Sequence, residues 1–287
     1  MRLAALAALM LVTTALMSMT LGETQDETLG ERVLRLQSAG LPDTLSFPTH
    51  HYVALVDSLA TSIDASLSRQ ATHTERFLAF TRLTGELHAI TTRDDILAQD
   101  LADRDLDCTS LAILMHDVWA TAGDSLAFVV RARHVFLTDG KLDYDPLHGT
   151  CEPAGQRYPT AMEVTGGAEL VLSMSERAMG EWLATARYDE AEDWFIRAQG
   201  RAQTDPLTNL VWGEVAFRAG ETATAEAKFR ELVAAWPDAA LSNYALGRFL
   251  LSQGDMADGR WYLDVGLGLA ESEGDARLCE AIAELLR

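Results

Sequence analysis

The chain has 287 residues, 23 of them basic and 43 acidic, for a formal net charge of −20 at pH 7. So acidic a surface repels phosphate backbones and anionic headgroups, which excludes nucleic acid and anionic membrane surfaces as partners. At this length, and with 48% apolar residues, there is enough chain for two domains with cores of their own.

Residues 1–22 read as an export signal. Arg2 is the sole charge before Glu23, Leu3 to Met17 is nearly all apolar, and Thr20, Leu21 and Gly22 offer a small-residue cleavage site. The expected mature protein begins at Glu23, is periplasmic or extracellular, and has no membrane attachment. The uncharged run is about twenty residues, so an uncleaved anchor is the alternative. Arg32 to Gln37 is a short amphipathic stretch, and Pro42 and Pro48 mark a loop that carries His50 and His51. Helical spacing follows over Tyr52 to Leu67, Thr74 to Leu87 and Thr92 to Leu101.

The stretch 106–149 carries the chemistry. Asp107 is a good N-cap for a helix built on Leu111, Leu114, Met115, Val118 and Ala122, and Gly123 stops it. Cys108 then opens the helix, where unpaired N–H groups and the helix dipole favour a thiolate. Downstream, 134–138 and 141–145 flank Asp139 and Gly140, a two-residue turn signal. A two-residue turn pairs Thr138 with Lys141 and sets His134 directly opposite Asp145, with Cβ atoms about 5 Å apart. Phe136 and Asp143 share that face, and Val135, Leu137, Leu142 and Tyr144 form the opposite, apolar one. A nucleophile, a base and an orienting carboxylate are thus within one short stretch. Asp143 competes for the third role, but lies diagonal to His134.

This arrangement resembles the transglutaminase-like superfamily of papain-type cysteine enzymes. It is most similar to a small bacterial branch in which such a domain precedes tetratricopeptide repeats, and the likeness covers Thr74 to Gly149. The resemblance implies Cys108 as nucleophile, His134 as base and Asp145 as orienting acid, for amide or ester hydrolysis or acyl transfer. It also implies an oxyanion donor upstream of the Cys, a role open to Gln99.

Other readings of the same residues are plainer. A disulfide between Cys108 and Cys151 would disable the nucleophile, and Cys279 reads as a buried thiol of the last helix. His116 reads as a core or rim histidine. His148 and Cys151 have a loose metal-like spacing without a second pair to complete a zinc site. There is no phosphate loop, dinucleotide fingerprint or HExxH, so no cofactor and no metal is expected.

After a linker over 150–165, with one further strand at most, the chain repeats. Ala191 and Phe195, Ala225 and Phe229, and Gly259 and Leu263 recur every 34 residues, the period of the tetratricopeptide helix pair. The repeats run 172–205, 206–239 and 240–273, with a capping helix over 274–287. Met179 and Ala186 replace glycines in the first. Their groove, which includes Glu214, Arg218, Tyr244 and Arg248, is expected to hold a protein or peptide. The expected fold is therefore an α+β transglutaminase-like domain over 23–165 followed by an all-α tetratricopeptide-repeat solenoid over 166–287. Two functions follow: a cysteine-dependent hydrolase or acyltransferase that recruits its partner through the repeats, or a catalytically silent binding module and scaffold.

Overall fold

Two capping boxes launch the amino-terminal helices. Thr28 and Glu31 cap α1 (Leu29–Ser38), and Thr72 and Glu75 cap α3 (His73–Thr84); in each, side chain and backbone N–H groups bond reciprocally. Between them lies α2 (Thr49–Ser66), which takes His50 and His51 into its first turn instead of leaving them in a loop. The structure is a computed structural model, describing residues 27–41, 47–68, 70–85, 88–89, 97–103, 105–131, 134–155, 162–184, 187–202 and 205–287. The expected export signal lies outside the described residues.

Next come α4 (Leu97–Asp103) and α5 (Cys108–Ala120), with a two-residue parallel pair, β1 (His88–Ala89) and β2 (Asp105–Leu106), before α5. α5 is apolar on nearly every side and sits at the centre of the amino-terminal half. Its one buried acid, Asp117, accepts the N–H groups of Leu29 (3.2 Å) and Gly30 (2.7 Å) and the Tyr52 hydroxyl (2.8 Å). A carboxylate thus sits at the positive end of α1 and ties α1, α2 and α5 together. Burial, and then the Asp117 charge, push the Tyr52 hydroxyl well above its usual range.

Five antiparallel strands follow: β3 (Ala127–Arg131), β4 (His134–Thr138), β5 (Leu142–Asp145), β6 (Thr150–Pro153) and β7 (Val164–Gly166), in the order β6-β5-β4-β3-β7. Both edges come from the segment expected to be a linker. One face, with Phe128, Val130, Val135, Leu137 and Tyr144, belongs to the main core. α5 packs on β4, the His116 ring lies 5.1 Å from Phe128, and Phe77 of α3 lies 5.6 Å from Tyr144. The other face carries Val129, His134, Phe136, Asp143 and Asp145.

Three antiparallel helix pairs complete the chain: α6 (Ala168–Ala184) with α7 (Tyr188–Arg201), α8 (Pro206–Ala219) with α9 (Thr222–Ala235), and α10 (Ala240–Ser252) with α11 (Met256–Glu273). α12 (Ala276–Leu286) covers the end. Each pair closes on one device, a glycine of the first helix under a bulky residue of the second. A Cβ would sit 3.0 Å from Phe195 at Gly180 and 2.7 Å from Phe229 at Gly213. At Gly247 it would sit 2.9 Å from both Leu263 and the Gly259 carbonyl oxygen. Gly180 does in the first pair what the repeat phase assigned to position 179.

The expected fold, an α+β transglutaminase-like domain followed by an all-α solenoid, is corrected by this architecture. About 70% of the described residues are helical, in twelve helices, with one small five-stranded antiparallel sheet besides the short parallel pair. The physical reason lies in α1, which packs on α6 as well as on α2, α4 and α5. Apolar contact consequently runs unbroken from Leu29 through the sheet to Leu250. A second, small cluster of Ala240, Leu263, Ala270 and Ile282 closes the carboxyl end. Among the described residues, no helix is long and apolar enough to cross a membrane.

Candidate functional site

The site is built on the turn between β4 and β5. Asp139 Oδ1 accepts the N–H groups of Lys141 (2.8 Å) and Leu142 (2.7 Å), the Asp139 N–H bonds the Leu142 carbonyl, and Gly140 takes φ +82°. Burial works to raise the Asp139 carboxyl, but bonds from Leu142, Lys141, Tyr144 and His73 outweigh it and hold the group below its usual range. The loop therefore has four residues rather than two. The observed pairs are Leu137 with Tyr144 and Thr138 with Asp143, a register displaced by two from the expected one. His134 is not directly opposite Asp145. Because the side-chain period is two, both still share a face.

On that face the expected pair forms diagonally. His134 Nε2 lies 2.7 Å from Asp145 Oδ2; the histidine side chain is 23% exposed and the aspartate 1%. The imidazole lies against Phe136, with centroids 6.1 Å apart and planes 28° apart, and the Arg131 guanidinium lies over that ring at 5.1 Å. Asp143 accepts the Gly155 N–H at 3.1 Å, in the next turn.

Cys108 is the first residue of α5, half-buried, and Asp107 caps the helix by accepting the Ser110 N–H at 2.7 Å. His73 fixes how α5 and β4 are aligned. Its Nε2 lies 3.7 Å from Asp124, just past the end of α5, and its Nδ1 lies 3.3 Å from Asp139, just past the end of β4. The two elements end together, and at about 1.5 Å per helical and 3.3 Å per strand residue they are of similar length. They run in one direction, so Cys108 and His134 both lie toward the same end of the sheet, with α5 on the face of Phe128 and Leu137 and the His134 side chain on the other face. Gln99 is half-buried on α4.

Cys151 pairs with Tyr144 and so faces the opposite side of the sheet from His134, with its sulfur 3.9 Å from the Thr74 hydroxyl. It forms no disulfide with Cys108. Burial, with the charges of Asp139, Asp143 and Glu152, pushes the Cys151 thiol up against the opposing bond to Thr74. Cys279 is half-buried rather than buried. His116 packs on Phe128 and contacts Asp117 at 3.0 Å, a core-rim role.

His148 is the residue whose position the spacing did not reveal. Gly149, at φ +64°, turns the chain into β6 and folds His148 back over Asp145. Its Nδ1 lies 2.9 Å from Asp145 Oδ2, and its N–H donates to Oδ1 at 3.1 Å. The two imidazoles meet edge to face at 5.1 Å. The spacing to Cys151 pointed to the wrong partner, since Cys151 faces the other side of the sheet.

The groove residues pair with one another and with α6. Arg248 bonds Glu214, its positional equivalent one period earlier, and lies 5.5 Å from the Tyr244 ring; Arg218 reaches Glu181 at 3.5 Å. Partial burial works to lower the Arg248 value, but the bond to Glu214 raises it above its usual range.

Comparison with protein-family models and with curated proteins finds no match. Among solved structures the chain is similar to menin. The TM-score is 0.57 at 13% identity, over 85% of this chain and 66% of menin's length. At that identity the likeness shows the fold alone. Menin is mostly helical, in agreement with the correction of the expected fold class.

Proposed function

We propose that this chain holds a protein segment on its paired helices and carries a thiol centre of Cys108, His134 and Asp145, for hydrolysis of an amide or ester or for acyl transfer. The observation that carries the reading is the 2.7 Å contact between His134 Nε2 and the buried Asp145, at the sheet end where α5 begins. With Nε2 donating to the carboxylate, the lone pair is left on Nδ1.

In that state His134 takes the Cys108 proton as sulfur adds to the carbonyl carbon, and Asp145 stabilises the imidazolium. The proton passes to the leaving nitrogen or oxygen as its bond to carbon breaks. Water or an amine then attacks the thioester and returns the thiol. The segment would lie along the faces that carry Glu214, Arg218, Tyr244 and Arg248, and the work would be done outside the cytoplasm after cleavage near Glu23.

The second reading, a silent module that only binds protein, is supported by the likeness to menin, whose crystal structure reveals the binding site for the Mixed Lineage Leukemia protein. Alkylation separates the two. With Cys279 as internal reference, Cys108 should react with iodoacetamide at least about tenfold faster at pH 7, and His134→Ala should remove that excess. Equal rates at the two cysteines, unchanged by His134→Ala, would favour the silent module.

A further inference from the structure

Asp145 does more than orient one imidazole. Its Oδ2 receives two nitrogens, His134 Nε2 at 2.7 Å and His148 Nδ1 at 2.9 Å, while Oδ1 is held by the His148 N–H. One ligand atom from each of the three residues lies within 4.8 Å of the others. Two imidazole nitrogens and a carboxylate oxygen are a donor set that suits first-row divalent ions.

Burial is graded across the set: Asp145 is 1% exposed, His134 23% and His148 55%. The carboxylate is fixed at the base, and the solvent side is open for water or a substrate atom to complete the coordination. Ligand atoms bound at about 2.1 Å in a tetrahedral shell are separated by roughly 3.4 Å, so the two contacts to Asp145 need to open by about 0.5 to 0.7 Å. His148, on an exposed turn, supplies the movement at its own contact, and a small rotation of the part-exposed His134 ring opens the other.

We propose that His134, Asp145 and His148 form a binding site for a first-row divalent cation, Zn²⁺ being the probe of choice. Each imidazole binds through the nitrogen that now faces Asp145. A neutral ring moves its proton to the other nitrogen, and a protonated ring releases one to solvent. Binding therefore releases protons and weakens on acidification. The site stands on these three residues alone. A consequence rests on the thiol reading above: a bound cation occupies both Nε2 of His134 and Asp145, withdraws the base from Cys108, and makes the centre one that divalent metal switches off.

Calorimetry on the full mature chain with Zn²⁺ at pH 7.5 tests the site. The expected result is one ion per chain with micromolar or tighter affinity. His148→Ala should weaken it by about 100-fold, while His73→Gln, at the other end of the sheet, should leave it unchanged. Cys108→Ala should retain it, and lowering the pH to 5.5 should cost at least about tenfold. Saturation beyond 100-fold excess only, indifference to His148→Ala, or loss with Cys108→Ala would each overturn the three-residue site. Separately, one equivalent of Zn²⁺ should slow alkylation of Cys108 in the wild type and not in His148→Ala. Tight binding without that slowing keeps the metal site and rejects its control of the thiol.

Discussion

The helix pairs and the amino-terminal half solve packing in different ways. From Ala168 onward one contact recurs, a glycine under a large apolar side chain at Gly180, Gly213 and Gly247, and neighbouring pairs lean on each other. Such a structure spreads its stability over similar local units. The amino-terminal half has no repeat. It is joined by single buried polar groups reaching far along the chain: Asp117 to Gly30 across 87 residues, and Gln37 to the Ala98 N–H across 61. One half can lose a contact and keep its neighbours, and the other depends on a few residues with no substitute.

The largest expected effect is at such a residue. Asp117→Ala leaves two N–H groups and the Tyr52 hydroxyl without their acceptor in the core, which should cost about 3–5 kcal/mol in urea unfolding. A cost below about 1 kcal/mol would erase the distinction between the halves.

The glycines sharpen the other side of the comparison. Replacement by Ala brings overpacking of about 1–3 kcal/mol, offset by roughly 1 kcal/mol of helix propensity. Gly247→Ala should be the most costly, because its Cβ meets the Gly259 backbone at 2.9 Å, and backbone cannot swing aside. Gly213→Ala meets the Phe229 ring at 2.7 Å, and Gly180→Ala, with 3.0 Å to Phe195 and 3.2 Å to the Ala191 carbonyl oxygen, should cost the least. Thermal unfolding of the three variants should give that order.

The smallest effect is a pH dependence. The Asp139 carboxyl is held below its usual value, so its contribution to stability is fully present above the unfolded value of about 4 and is lost as pH falls through the folded one. The Tm advantage of wild type over Asp139→Asn should be constant from pH 7 to 5 and shrink below pH 4. An advantage that grows on acidification would mean that the turn is held by something else.

What the sequence made legible follows the same division. The 34-residue spacing located the three helix pairs and the last helix within a few residues, because each glycine and its partner lie close in sequence. Position 179 misled only because the first helix is displaced by one residue, which puts Gly180 under Phe195. Alternation gave the correct face for His134 and Asp145. The register missed by two, since Asp139 accepts from both Lys141 and Leu142 and holds four residues in the turn. The anchoring of α1 by Asp117, and with it the joining of α1 to α6, carries no local signature. That is why a separate α+β domain was expected where the chain forms one mostly helical body with a small sheet.

The turn at 139–142 has a consequence for how this chain can vary. Every residue downstream of it on β5 takes its side from a count of residues. Adding or deleting one would carry Asp145 into the apolar side and bring Tyr144 round to His134, and β6 would follow through its pairing with β5. A change of two would shift the strand along and leave each side chain on its own side. Natural variation in this loop should then come in even steps: its length is a matter of parity before it is one of size.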